Sequence, residues 1–110
     1  MKVAVSATGG SIQSEVEPRF GRAPYYVVVD TSNMKIELVF NSNTLNEHGV
    51  GPLTAKLIAD TGAEVVLTGK VGPNAKQVLQ AGGIRVVEDV TGTVRAAVDD
   101  FLQREGTNKT

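Results

Sequence analysis

Cysteine is absent from this 110-residue sequence, and histidine occurs once. Without cysteine the chain can form no disulfide, offers no thiolate for catalysis and cannot build a cysteine-ligated zinc or iron–sulfur site. Any iron or zinc bound by the protein would have to be held by nitrogen or oxygen ligands. The imidazole of His48 is therefore a candidate of particular interest.

Strong net charge and long apolar runs are also missing. The formal net charge is −1, which argues against nucleic-acid binding because such a surface needs a basic patch. No apolar run approaches the roughly 20 residues that a membrane-spanning helix requires. The N-terminal apolar run is too short for a signal peptide. We therefore expect a cytoplasmic protein with no nucleic-acid partner and no membrane partner.

Several enzyme signatures are missing too. The sequence has neither the phosphate-loop motif nor the dinucleotide-binding fingerprint. The first predicted strand, KVAVSA, carries no carboxylate that could hold the two metal ions of a nuclease. Ser6, Ser11 and Ser14 have no base beside them in a recognisable order. We therefore expect a protein that is not an enzyme.

The length fits one domain with a real core, since a chain near this size buries roughly two-thirds of its unfolded surface. We expect this domain to span residues 1–103 and residues 104–110 to form a flexible tail. Hydrophobic periodicity predicts eight elements in the order β-β-β-α-β-α-β-α. The predicted strands cover residues 2–7, 25–30, 35–40, 64–68 and 84–88.

Three helices complete the predicted pattern. Pro52 and Pro73 suit the first position of a helix, and Thr93 can cap the last helix. The residues expected to face inward are Leu53, Leu57 and Ile58 in the first helix, Ala75, Val78 and Leu79 in the second, and Val94, Ala97, Val98, Phe101 and Leu102 in the third.

These elements predict an α/β fold with a five-stranded mixed sheet between two helical layers. The first strand should be central, with the hairpin of the next two strands on one side and the two later strands on the other. Ligands of such sheets bind beyond the carboxyl ends of the parallel strands. The glycine-rich corners of the sequence should converge at that edge.

Three of these corners precede a helix, at Gly51, at Gly72 and at Gly92-Thr93. A helix start offers unpaired N–H groups and a partial positive charge, so three starts together would form an anion-binding rim. The segments that begin at Val50 and Val71 also resemble each other, each reading Val-Gly-Pro, helix, glycine, strand. Either two α–β units meet the same geometric demand, or both corners contact one ligand.

Two side chains near these corners could contribute chemistry. His48 could ligate a metal or donate a proton to an anion, or be an ordinary surface residue. The planar guanidinium of Arg22 could bind an anion, or pair with Asp30 or Glu37. Phe20 could cover a ligand, although core packing is the simpler interpretation.

Four motifs in order, FGRAPYY, HGVGP, TGKVGPNA and TGTV, resemble the dinitrogenase iron–molybdenum cofactor binding family. The resemblance covers Met1 to Leu102 and implies a three-layer, ribonuclease H-like fold. Some members of that family carry or bind iron–sulfur precursors of the nitrogenase cofactor. Relatives often have a histidine just before Phe-Gly-Arg, where this chain has Arg19.

The resemblance implies a ligand surface and a metal ligand, His48. The implied cofactor-binding residues are Phe20, Gly21, Arg22, His48, Gly49, Gly51, Gly72, Asn74, Thr91, Gly92 and Thr93. The implied function is a non-enzymatic binding module that carries the iron–molybdenum cofactor or its iron–sulfur precursor, with a protein partner in cofactor assembly. The alternative is a domain that senses a small anion or other small molecule without metal and acts through a protein partner.

Overall fold

The structure, a computed structural model, describes residues 1–45 and 50–106. Within these ranges the elements follow the predicted order β-β-β-α-β-α-β-α. The strands are β1 (Lys2–Ala7), β2 (Tyr25–Asp30), β3 (Lys35–Phe40), β4 (Val65–Leu67) and β5 (Arg85–Val87); the helices are α1 (Val50–Asp60), α2 (Pro73–Ala81) and α3 (Val94–Gly106). Two short 3-10 turns, Phe20–Arg22 and Ser42–Leu45, precede β2 and α1.

The five strands form one mixed sheet in the order β3-β2-β1-β4-β5. β1 pairs antiparallel with β2 and parallel with β4, and β4 pairs parallel with β5. The central position predicted for β1 is confirmed. Its residues from Val3 to Ala7 are buried, as expected for a strand that is covered on both faces.

Helices cover both faces of the sheet, which confirms the three-layer arrangement. Ile58 of α1 and Leu79 of α2 pack on one face, and Val98 and Phe101 of α3 pack on the other. The two helices of the repeated α–β units therefore lie side by side on the same face. The predicted inward row of α3 is buried, except for Leu102, which is half-buried.

The inward faces predicted for α1 and α2 are partly wrong. Leu53 and Val78 are exposed, whereas Thr54 is fully buried. α1 begins at Val50, two residues before the proline that was expected to start it. Pro52 then sits in the first turn, where its missing N–H costs no hydrogen bond. α1 also buries Ala55 and Ile58, and it approaches α2 closely at Gly51 and Ala75.

The C-terminal helix is longer than the sequence pattern predicts, because it continues to Gly106. Arg85 of β5 donates two hydrogen bonds, of 2.8 and 3.0 Å, to the carboxylate of Glu105. This bidentate pair holds a turn that was expected to belong to the tail. Residues 107–110 lie outside the described residues. In the part of the chain that the structure describes, no helix is both long enough and apolar enough to cross a bilayer.

Candidate functional site

The long loop between β1 and β2 is bonded to the carboxyl edge of the sheet. Lys70 N–H donates to the carbonyl of Pro18 at 2.7 Å, and Phe20 N–H donates to the carbonyl of Lys70 at 3.0 Å. Further back, Val16 N–H donates to the carbonyl of Gly92 at 2.8 Å. The loop thus crosses the ends of β1, β4 and β5 and joins the corners that precede α2 and α3.

Gly69 allows this close approach. A Cβ atom at this position would lie 2.3 Å from the carbonyl oxygen of Pro18 and 2.6 Å from its Cα. No side chain fits there unless the loop moves. Gly69 was not among the site residues predicted from the sequence, although its place two residues after β4, in the TGKVGP corner, was a usable signal.

A second close approach brings together the turn that carries Arg22 and the starts of α1 and α2. A Cβ atom at Gly21 would lie 3.2 Å from Gly51 Cα, and one at Gly51 would lie 3.1 Å from the Cβ of Ala75. Three chain segments therefore pack with almost no side-chain atoms between their backbones. These two glycines, both predicted as site residues, are neighbours in space.

Asn41, a buried residue that the sequence analysis missed, fixes the same junction. Its side-chain amide donates hydrogen bonds to the carbonyl of Ala23 at 2.9 Å and to the hydroxyl of Thr54 at 3.2 Å. Its backbone N–H donates to the carbonyl of Pro24 at 2.9 Å. The end of β3, the Arg22 turn and α1 are thus held together by one side chain. A buried amide is hard to distinguish in sequence from the surrounding loop asparagines.

Arg22 and Phe20 have different roles. Arg22 is exposed, and within residues 1–45 and 50–106 its guanidinium makes no ion pair. The pairing with Asp30 or Glu37 that was considered is not formed, so the charge is available to a ligand. Phe20 is 1% exposed and packs edge-on against Tyr26, with ring centroids 5.4 Å apart. Its side chain belongs to the core on the α1–α2 face of the sheet and supports the turn that carries Arg22.

The helix starts are not equivalent. At α2, Gly72 provides no side-chain cap, and among the described residues the N–H groups of Asn74 and Ala75 have no acceptor. At α3 the first amides are already used. Val94 N–H donates to the carbonyl of Ser14 at 2.9 Å, and Arg95 N–H donates to the carbonyl of Ile12 at 2.9 Å. Ala96 N–H donates to the hydroxyl of Thr93 at 3.1 Å. The expected rim of three free helix starts therefore loses its α3 member.

The predicted site residues thus fall into two groups. Gly21 and Gly51 lie together at the α1–α2 face, close to the start of α2. Thr91 and Gly92 line a separate cavity of about 580 Å³ with Gly69. The long loop between β1 and β2 is hydrogen-bonded to the corner before α2 and to the corner before α3, and it lies between them. Two of the predicted residues, His48 and Gly49, lie outside the described residues.

Two ion pairs shape the charge at this edge. The Lys70 ammonium donates a hydrogen bond to the Asp89 carboxylate at 2.8 Å, and this bond raises the pKa of Lys70. Glu88 accepts hydrogen bonds from Lys76 at 2.7 Å and from Val71 N–H at 2.9 Å, and these two contacts lower its pKa. Glu88 therefore anchors the residues just before α2 and neutralises the lysine in its first turn.

We predict that replacing Glu88 with Gln reduces the acid sensitivity of the fold. Because the folded-state pKa of Glu88 is below its ordinary value of 4.5, the ionised carboxylate stabilises the fold above about pH 4.5. This contribution is lost as pH falls through the lowered folded-state pKa. Urea unfolding at pH 3 to 7 should show that Glu88→Gln is less stable than wild type at pH 7 and that the difference shrinks at pH 3. A constant difference would contradict the prediction.

The described side chains suit an anion better than a bare metal ion. Across residues 1–45 and 50–106, no group of three or more His, Cys, Asp or Glu residues could hold a metal ion. The free amides at α2 and the unpaired guanidinium of Arg22 are donors, and such donors bind the outer atoms of an anion.

Comparisons with known proteins agree with this fold. Residues 1–104 match the family described as dinitrogenase iron-molybdenum cofactor. The apo form of the orange protein from Desulfovibrio gigas is 47% identical, with a TM-score of 0.91, over 94% of this chain and 88% of that chain. The solution structure of a NifB-like protein from Thermotoga is 34% identical, with a TM-score of 0.82, over 93% of this chain and 87% of that chain.

A curated relative points the same way. An uncharacterised protein of Methanocaldococcus jannaschii is 30% identical over 93 residues, which are 82% of this chain and 79% of that protein. The family match covers nearly the whole chain and includes all four motifs. The chain therefore belongs to the dinitrogenase iron-molybdenum cofactor family.

Proposed function

We propose that this protein is a non-enzymatic carrier of an anionic metal cofactor, either the iron–molybdenum cofactor or an iron–sulfur precursor of it. Membership of the family supports the class of cargo. The observation that supports the site is the approach of Gly21, Gly51 and Ala75, which sets the Arg22 turn against the starts of α1 and α2. The protein would hand its cargo to a partner in cofactor assembly. The cytoplasmic location stays a prediction.

The donors present fit a cluster that is held by its surface atoms. Hydrogen bonds to the sulfur atoms of a cluster stabilise its negative charge. The N–H groups of Asn74 and Ala75 and the guanidinium of Arg22 are donors of this kind. His48 would supply one metal ligand in this proposal. Binding through such contacts is reversible, as a carrier requires.

A second candidate, a sensor of a small anion without metal, is supported by one observation. Helix starts and arginine bind small oxyanions such as sulfate and phosphate, and the described residues form no group of three or more side chains that could hold a metal ion. In this case His48 would be an ordinary surface residue, and a metal cluster would have no advantage over a simple oxyanion.

Replacing His48 with Ala separates the two candidates. If the protein carries a cluster, the variant should bind an anaerobically supplied iron–sulfur cluster at least about tenfold more weakly, because one metal ligand is lost. Binding of molybdate should be unchanged. The measurement is the rise in melting midpoint with ligand concentration, since a ligand of the folded state stabilises by mass action.

One outcome decides against the carrier: stabilisation of the wild type by molybdate with no effect of the cluster, which would favour the sensor. Equal cluster binding by wild type and His48→Ala would contradict the assignment of His48 as a metal ligand. Arg95→Ala, an exposed arginine on α3, is the matched control and should behave as wild type.

A further inference from the structure

β3 is an edge strand with no described strand on its outer side. It pairs with β2 along six residues from Lys35 to Phe40 in a regular antiparallel register, and in the described sheet no strand lies beyond it. The strand contains neither proline nor glycine and has no interruption in its register. Native proteins usually block such an edge, because its free N–H and C=O groups can pair with another strand.

One face of this strand carries an exposed apolar row. Ile36, Leu38 and Phe40 are 47%, 52% and 60% exposed. They lie opposite residues of β2 whose side chains point to the α3 face, so the row lies on that face. α3 does not cover the row, and a groove of about 190 Å³ remains between it and the strand, lined in part by Met34 and Ile36. A contiguous apolar surface of this kind is typical of an interaction site.

The other face of the strand carries two charges of opposite sign. Lys35 and Glu37 are exposed, and in the described ranges neither forms an ion pair within the chain. They are two residues apart, so their side chains point to the same side of the sheet. A strand with this pattern can be complementary to itself in the antiparallel direction.

We propose that β3 pairs antiparallel with β3 of a second copy of this chain about a two-fold axis at Ile36. This register sets Lys35 of each copy opposite Glu37 of the other, so two ion pairs form. An axis at Glu37 would set two carboxylates face to face. An axis at Leu38 would leave the two Glu37 side chains as diagonal neighbours and would form no lysine–glutamate pair. Charge therefore selects the Ile36 register.

The pairing also covers part of the apolar row. With the axis at Ile36, the two Ile36 side chains meet, and Leu38 of each copy lies next to Met34, in the turn before β3 of the other copy, beside the groove. The two sheets join into one sheet of ten strands. In each copy Asn41, the residue after β3, holds the Arg22 turn near the carboxyl end of that strand. Because the two β3 strands run in opposite directions, the Arg22 sites of the two copies lie at opposite strand-end edges of the joined sheet. The dimer does not depend on the proposed cargo.

Sedimentation equilibrium of the full chain, at concentrations up to about 1 mM, tests the proposal. We expect a concentration-dependent dimer. Lys35→Glu and Glu37→Lys should each weaken dimerisation at least about fivefold, because each sets like charges opposite one another. The double variant should restore it. A monomer at every concentration overturns the proposal, and so does a dimer that the single changes do not affect or the double change does not rescue.

The absence of cysteine permits a direct test of the register. Residues directly opposite in an antiparallel pair have Cα atoms about 4.5–5.5 Å apart, within disulfide range. Under mild oxidation Ile36→Cys should therefore form a cross-linked dimer, and Leu53→Cys, an exposed apolar position on α1, should not. Faster cross-linking of Leu38→Cys than of Ile36→Cys overturns the Ile36 register.

Discussion

Gly69→Ala is expected to destabilise the fold more than the same change at any other glycine whose surroundings the structure describes. The added Cβ would lie 2.3 Å from the carbonyl oxygen of Pro18, and neither atom can move away without moving the backbone that carries it. The loop must move away, and the hydrogen bonds that join Lys70 to Pro18 and to Phe20 are lost with it. We expect a loss of about 3 kcal/mol in the free energy of unfolding, the upper part of the range for overpacking. Thermal unfolding should show a melting midpoint lower by on the order of 10–20 °C.

Gly72→Ala is the matched control, because it lies in the same corner three residues later. A Cβ atom at Gly72 meets nothing within 4 Å, and the residue has a φ of −66°, which alanine adopts readily. It should cost no more than about 1 kcal/mol, the usual difference at a helix N-cap. Equal midpoints for the two variants would show that the loop does not depend on the contact at Gly69.

Arg22→Ala is expected to have the largest effect on ligand binding. Arg22 is exposed and unpaired among the described residues, so its removal should leave the melting midpoint of the free protein unchanged. A hydrogen bond to a charged group contributes about 1.5–3 kcal/mol, and at an exposed position we expect the lower end. The affinity for an iron–sulfur cluster should therefore fall about tenfold. Anaerobic titration followed by absorption measures this directly.

Lysine at position 22 and alanine at position 95 are the controls for this experiment. Arg22→Lys keeps the charge but loses the planar pair of donors, so it should lie between wild type and Arg22→Ala. Arg95→Ala removes an exposed arginine near Asp99 on α3 and should bind as wild type. If Arg95→Ala weakens binding as much as Arg22→Ala does, the effect comes from net charge and not from a site.

The sheet order could be predicted because each of its determinants is local. The β-rich runs of β2 and β3 are joined by the short polar stretch TSNM and form a hairpin, and the β–α–β units that follow must cross over in one hand. Together these rules place β1 at the centre, as observed. Phe20 could also be assigned to the core, because a large apolar side chain after a long loop seldom stays exposed.

The arrangement of the site depends on contacts between distant segments, which no local pattern reveals. The helix motif after Thr93 predicts a free anion-binding start, but the carbonyls of Ile12 and Ser14 already accept its first N–H groups. Asn41 lies among several asparagines in the sequence, and its burial between three segments depends on contacts that no local pattern shows. The exposed face of β3 was missed for a related reason, since its alternation is the same as that of a strand buried on one side.

Paramagnetic broadening in ¹H–¹⁵N spectra tests the central claim most directly. A paramagnetic iron–sulfur cluster added anaerobically should broaden the amide resonances of Arg22, Gly51, Asn74 and Ala75 at sub-stoichiometric amounts, because these groups surround the proposed site. The amides of Leu38 on β3 and Asp99 on α3 should stay sharp. Broadening centred on Thr91 to Thr93, or spread evenly over the surface, would contradict a binding site formed by the Arg22 turn and the starts of α1 and α2.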